Sequence, residues 1–180
     1  MIYSKRRERK NMNEKKEERR GKQPIVPAFS VYHPNHKGNG TAAAFRVNPA
    51  TIKASGFVQL EMAQQLTVGD SDRRVYPTFN WKSRIITRLT PVEAAEIVMC
   101  LRGVTESIRD GNGFQHRSDG GSSRITLTHM VQPKSCYQLK VSHETIAGTD
   151  RETAIYFTPA ESYALAEGLA GSMARLCFGH

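Results

Sequence analysis

The sequence predicts an α+β fold: two four-stranded antiparallel β-sheets packed together with two helices, built from a duplicated ββββα unit. Three observations predict it. Residues 88–103, RLTPVEAAEIVMCLRG, align without a gap to residues 156–171, YFTPAESYALAEGLAG, at an offset of 68 positions. Thr90 matches Thr158, Pro91 matches Pro159, Glu93 matches Glu161, Leu101 matches Leu169 and Gly103 matches Gly171. Each copy follows a strand-like segment and opens a helix. The segments ahead of each copy are short runs with hairpin-like spacing, which favours antiparallel sheets over a βαβ array.

In the first unit, Phe29 to His33 reads as a strand and His36 to Gly40 as a glycine turn. Thr41 to Val47 is a second strand, with Ala43, Phe45 and Val47 on one face and Ala42, Ala44 and Arg46 on the other. Phe57 to Ala63 is a third, alternating Val58, Leu60 and Met62 with Phe57, Gln59 and Glu61. A loop rich in Gly, Asp and Arg, residues 69–74, leads to a fourth strand over Trp81 to Leu89. There Trp81, Ile85 and Leu89 alternate with Lys82, Arg84 and Arg88. Ile86 breaks that alternation, which suggests cover on both faces near the middle of the strand.

Thr90 then starts a helix. Its hydroxyl can accept from the N3 amide, Pro91 suits N1, and Glu93 can close a capping box. Ala94, Ala95, Val98 and Leu101 make the buried stripe. Gly103 marks an end, with residues 104–108 as an alternative extension up to the Asp110–Gly113 stop. The second unit predicts strands over 114–118, 124–131, 136–144 and 152–157. Thr158, Pro159 and Glu161 cap a closing helix that buries Leu165, Leu169, Met173 and Leu176. The two helices are expected at one end of the sandwich.

The 180 residues suit one domain plus an appendage. Residues 1–24 lack hydrophobic periodicity and read as a disordered basic arm. Residues 25–180 read as a single domain, repeat one over 28–110 and repeat two over 113–178. Residues 1–22 hold ten Lys or Arg against four Glu, so the arm carries six of the nine net positive charges. A basic balance favours a polyanionic partner, because each neutralised phosphate releases a counterion. The body is only mildly basic, so charge alone does not decide the matter.

Cys100, Cys136 and Cys177 are odd in number and form no CxxC pair. That argues against a disulfide framework or a zinc knuckle and for reduced thiols in or near the core. No apolar run approaches the roughly 20 residues of a membrane span, and no apolar h-region marks a secretory signal. A cytoplasmic, nucleoid-associated or an organellar placement is expected, with no membrane partner.

The chemistry on offer is rings interleaved with cations. Unpaired nucleic acid needs cations along its backbone and flat faces for its bases. Phe57, Tyr76, Phe79 and Trp81 supply rings, and Arg46, Lys53, Arg73, Arg74, Lys82, Arg84 and Arg88 supply charge beside them. Lys37 adds a cation in the first turn. Trp81 reads as a core residue ahead of a stacking platform, Phe57 as an exposed ring, and Arg84 and Arg88 as either a binding or a merely solvated strand face. Lys134, Tyr137, Lys140, Arg117 and Arg124 are second-repeat contributors, with Tyr137 placed toward the core by Leu139 and Val141. Catalysis finds little support: there is no HExxH, GxSxG or P-loop. His143–Glu144 could imitate an acid–base pair. Asp70, Asp72 and Asp119 could suggest a metal, but Asp in Gly-rich turns serves the backbone. Neither an enzyme nor a cofactor or metal site is expected.

The chain resembles the Whirly family of single-stranded-DNA-binding proteins and their kinetoplastid guide-RNA-binding relatives, over roughly residues 28–178. Phe29-Ser30-Val31-Tyr32, Lys37-Gly38 before Ala42-Ala43-Ala44, Gly56-Phe57-Val58-Gln59-Leu60 and the strand-to-helix joins at Thr90 and Thr158 carry the likeness. Plant members have a Lys-Gly-Lys-Ala-Ala-Leu motif. Here Lys37 and Gly38 match it, the second lysine does not, and the alanines follow at a longer spacing. The resemblance implies a tetramer whose helices meet at its centre. The resulting expectation is a sequence-tolerant single-stranded DNA-binding protein, with RNA as a further ligand, that uses backbone electrostatics and base stacking on sheet aromatics. The rival expectation is a non-catalytic structural or assembly component that docks protein partners in a ribonucleoprotein or nucleoid complex.

Overall fold

The computed structural model describes residues 28–132, 135–146, 148 and 150–179; the arm expected at 1–24 lies outside them. The first sheet holds β1 (Ala28–His33), β2 (Thr41–Asn48), β3 (Phe57–Thr67), β4 (Thr78–Phe79) and β5 (Ile85–Leu89). The second holds β6 (Phe114–Ser118), β7 (Gly121–Met130), β8 (Cys136–Thr145) and β9 (Asp150–Phe157) in that order. Every pairing is antiparallel. Helix α1 (Pro91–Leu101) follows β5, α2 (Pro159–Gly171) follows β9, and α3 (Met173–Phe178) closes the described chain. This is the duplicated α+β plan.

Period-2 alternation decides which side of each sheet is core. Val31, Ala43, Met62 and Ile85 lie in one register row of the first sheet, and Phe29, Phe45, Leu60 and Thr87 in another. They face Ile125, Leu127, Leu139, Val141, Ile155 and Phe157 of the second sheet in one core. Phe45 and Phe157 meet across it at 6.2 Å between ring centroids. The helices pack on each other, and each touches both sheets: α1 reaches β3, β5 and β7, while α2 reaches β1, β8 and β9.

Both helix starts use the expected device. The Thr90 hydroxyl accepts from the Glu93 amide at 3.2 Å while Glu93 Oε2 accepts from the Thr90 amide at 2.8 Å. Thr158 and Glu161 repeat this at 3.3 and 2.8 Å. Each of these glutamates uses its second oxygen to hold a histidine from the other repeat. His116 of β6 lies 2.7 Å from Glu93, and His33 of β1 lies 2.9 Å from Glu161. Burial opposes the charged form of both carboxyls. Hydrogen bonds from His116 and Thr90, and from His33 and Thr158, outweigh that and hold them below the usual carboxylate range. Thr87 of β5 adds a bond to His116 Nδ1 at 3.1 Å, so this pin also ties the first sheet to the second.

Several expectations need correction. The fourth strand does not begin at Trp81. Its place beside β3 is shared by β4 and β5, with a 3-10 turn at Trp81–Ser83 between them. The Asn80 side chain accepts from the Ser83 amide and so supports that turn. Ile86 is not covered on both faces: Ile85, Thr87 and Leu89 point in, and Ile86 is 49% exposed. On α1, Ile97 and Cys100 join the buried stripe while Ala95 is only half-buried. The helix stops at Gly103 (φ +73°), whose amide bonds the Cys100 carbonyl while that of Val104 bonds Met99, a Schellman end that excludes the longer extension. The closing helix is two helices, broken at Ser172. Cys100 is in the core, where burial pushes its thiol up to about 11. Cys136 is half-buried, and Cys177 is exposed rather than near the core. Among the described residues, no helix is long and apolar enough to cross a membrane.

Candidate functional site

The outer face of the first sheet gathers the side chains of interest. Its register rows run Tyr32–Ala42–Ala63, then Ser30–Ala44–Glu61–Ile86, then Ala28–Arg46–Gln59–Arg88, ending in Asn48–Phe57. Ala42, Ala44 and Ala63 are buried although they point to this side. Small residues thus floor the face between larger neighbours. Strand β2, with eight residues, gives the face a length of about 26 Å.

Rings occupy both ends. At one end Tyr32 packs against Phe79 at 5.6 Å and edge-on to Trp81 at 6.3 Å. Tyr32 is half exposed, while Phe79 and Trp81 are half-buried. Trp81 therefore stands outside the core. At the other end the Arg88 guanidinium lies over the half-buried Phe57 ring, 4.7 Å from its centroid. Between the rings sits Glu61, a buried carboxylate. Arg84 Nε lies 2.8 Å from it, Arg46 Nε lies 3.4 Å away, and Gln59 donates to it. The Arg84 guanidinium also donates to the Trp81 carbonyl, which couples the charged centre to the aromatic end.

The remaining expected residues lie in the connections between the strands of this sheet. Lys37 is exposed in the β1–β2 turn, where Gly38 approaches Val68. Arg73, Arg74 and Tyr76 lie on the exposed excursion between β3 and β4, closed by the Asp70–Val75 pairing. Tyr76 is 83% exposed, and Arg73 lies 3.5 Å from Asp70. Lys82 is exposed on the 3-10 turn. Lys53 lies in the β2–β3 connection at the opposite end from Lys37. Six of the twelve expected residues thus come together on one surface (Arg46, Phe57, Phe79, Trp81, Arg84 and Arg88), and the other six lie exposed in the connections between the strands of that sheet. Tyr32 and Glu61 were not foreseen as members. The alternation that places Val31 inward places Tyr32 outward, and an acid inside the apolar run Leu60–Met62 signals a partnered, buried charge.

Three chains of known structure share this architecture. WHY1 from Arabidopsis thaliana superposes with a TM-score of 0.66 at 18% identity, covering 87% of this chain and 88% of that one. The plant transcriptional regulator PBF-2 gives 0.64 at 17%, covering 86% and 84%. WHY3 from Arabidopsis thaliana gives 0.60 at 20%, covering 86% and 90%. The chain has the Whirly fold. No protein-family model matches the sequence, and neither does any curated protein.

Within this Whirly fold the second sheet presents a different outer face. Tyr137 is buried and stacks on His129 at 4.6 Å. Lys140 lies 3.3 Å from Glu152, and Lys134 lies outside the described residues. Arg117 and Arg124 are exposed and line a polar cavity of about 380 Å³ at the end of the sheet, with Arg151 and His143. His143 and Glu144 do not form an acid–base pair: His143 Nδ1 lies 2.8 Å from Ser123 Oγ, and Glu144 falls on the opposite face of β8. Asp70 accepts from the backbone amides of Asp72 and Arg73, the ordinary use of Asp in a turn. Among the described residues, no three His, Cys, Asp or Glu side chains group as metal ligands.

Proposed function

We propose that the protein is a non-catalytic, sequence-tolerant single-stranded DNA-binding protein, with single-stranded RNA as a second ligand. The observation that carries this reading is the outer face of the first sheet. It places two aromatic stations, Tyr32–Phe79–Trp81 and Phe57–Arg88, at the ends of a guanidinium-bearing surface. Bases of an unpaired strand stack on the rings, while Lys37, Lys53, Arg73, Arg74 and Lys82 draw in its phosphates. Stacking of this kind contributes about 1–3 kcal/mol per base and tolerates any base. A duplex hides its bases and loses that part. The Whirly fold makes the reading coherent with a scaffold whose relatives include a transcriptional regulator.

The working unit is an oligomer, a homotetramer, joined through the helices. Val92 and Met99 of α1 and Tyr163 of α2 are exposed apolar side chains, and Ala164 and Gly168 of α2 are exposed small residues. An exposed apolar helix face of this kind marks an interface.

The test is a binding series with oligothymidylate, a single-stranded RNA and a duplex of equal length at two salt concentrations. Single strands should bind more tightly than duplex. The double variant Phe57→Leu/Trp81→Leu should lose about 1–3 kcal/mol per ring removed while keeping the wild-type thermal transition. Equal affinity for duplex and single strand, or an unchanged double variant, overturns the proposal. A chain trimmed to residues 25–180 should keep the preference. If it loses all binding, the body is a docking scaffold and the arm alone makes the contact.

A further inference from the structure

Glu61 is out of place on a surface meant for a polyanion. Its side chain is only 7% exposed, it lies at the centre of the face, and it carries the same charge as a phosphate. A buried carboxylate costs several kcal/mol unless it is well paired, and here it is paired twice. Arg46 and Arg84 flank it through their Nε atoms, and Gln59 donates to it. The Arg84 Nε–H is buried and lacks an aligned hydrogen bond despite its 2.8 Å approach to the carboxylate. That contact is therefore chiefly electrostatic, and the donation to the Trp81 carbonyl sets the plane of the guanidinium.

The arrangement has two physical consequences. The three side chains together carry one net positive charge rather than two, so they attract phosphate less than two free arginines do. The guanidinium groups are also held in place, and a fixed guanidinium plane is a stacking surface for an unstacked base. A duplex offers phosphates and no base faces, so it loses from the first effect and gains nothing from the second. We propose that Glu61 is a positioning residue that sets this face's preference for unpaired over paired strands, by neutralising and fixing Arg46 and Arg84. This assignment rests on the nucleic-acid reading above and names the residue that gives it specificity.

Two variants test it. Glu61→Gln keeps the shape and removes the negative charge that neutralises the two guanidinium groups. Its single-strand salt dependence should steepen by about 0.7 for each group that takes up a phosphate. Its duplex affinity should rise more than its single-strand affinity, so the ratio between them falls about tenfold, a shift well within the range of charge-pair rearrangements at interfaces. Arg84→Met covers the case in which Glu61→Gln fails to fold, since Glu61 keeps Arg46 and Gln59. An ordinary phosphate-binding arginine lowers the salt slope by about 0.7 when removed. Arg84 held by Glu61 should leave the slope unchanged and lower single-strand affinity equally at both salt concentrations. A folded Glu61→Gln protein with the wild-type ratio, or an Arg84→Met protein with the reduced slope, overturns the assignment and leaves the interface reading standing. A wild-type protein that binds no oligothymidylate overturns both.

Discussion

Trp81 is the only tryptophan in the chain, and its placement shows how far one residue's role depends on its face. Read along the sequence, Trp81 shares its parity with Ile85 and Leu89, both of which are buried in the core. The 3-10 turn at Trp81–Ser83 breaks that parity and brings the indole out beside Tyr32. No alternation rule reveals such a turn, because Asn80 makes it with a side-chain cap rather than with hydrophobic spacing. The position gives a direct optical test. If bases stack on the ring as proposed, indole emission should be quenched on titration with oligothymidylate and much less with duplex. Quenching by neither ligand under conditions where single strand binds would remove Trp81 from the stacking surface and leave Phe57 to carry it. Glu61 shows the converse: its charge was plain in the sequence, but its partners were not. Arg46 is 15 positions away and Arg84 is 23, and only the β2–β3–β5 register brings them together.

At the scale of elements, the two Thr-Pro-x-Glu joins were the most legible part of the sequence, and both fold as capping boxes. A cap is local: four consecutive residues hold all its donors and acceptors. The fourth strand position was legible as a place but not as a shape, since its interruption depends on pairing with β3. The cross-repeat histidines were not legible at all. His33 meets Glu161 at a separation of 128 residues, a contact that exists only after both sheets have formed. These pins predict an acid limb in stability. Glu93 and Glu161 sit below the usual carboxylate range in the folded protein. Their contribution is complete above the unfolded value of about 4.3 and is lost as pH falls through the lower folded values. Urea unfolding from about pH 6 down to about pH 3 should show this loss. The double variant Glu93→Ala/Glu161→Ala should be less stable at neutral pH by about 1 kcal/mol or more per glutamate, the net worth of the hydrogen bonds each one makes, with a flatter acid limb. An acid limb of unchanged slope would mean that other carboxyls govern it.

The whole molecule is a symmetric scaffold with an asymmetric surface. Duplication supplies two sheets, two capped helices and reciprocal His–Glu pins. The ring contacts, however, gather on the first sheet, while the corresponding face of the second carries the cations Arg124 and Lys140 with one exposed ring, Tyr156, among residues such as Thr126 and Gln138. The helices pack on each other and touch both sheets, and on their outward side the single chain looks unfinished. Val92 is 65% exposed and Tyr163 67%. Gly168 separates an interface from a merely apolar surface. A methyl group built on Gly168 meets nothing within 4 Å in the protomer. In a monomer, Gly168→Ala should therefore stabilise α2 by about 1 kcal/mol through propensity alone. In an oligomer whose helices approach closely over Gly168, the same methyl group should weaken assembly, and Gly168→Glu should abolish it. Light scattering should accordingly give a wild-type mass of four chains and a single-chain mass for Gly168→Glu. Gly168→Ala should dissociate at higher concentration than wild type while its dissociated chain melts later. A wild-type protein of single-chain mass, with Gly168→Ala simply melting higher, would assign this face to solvent and require the outer sheet to bind its strand without a neighbouring protomer.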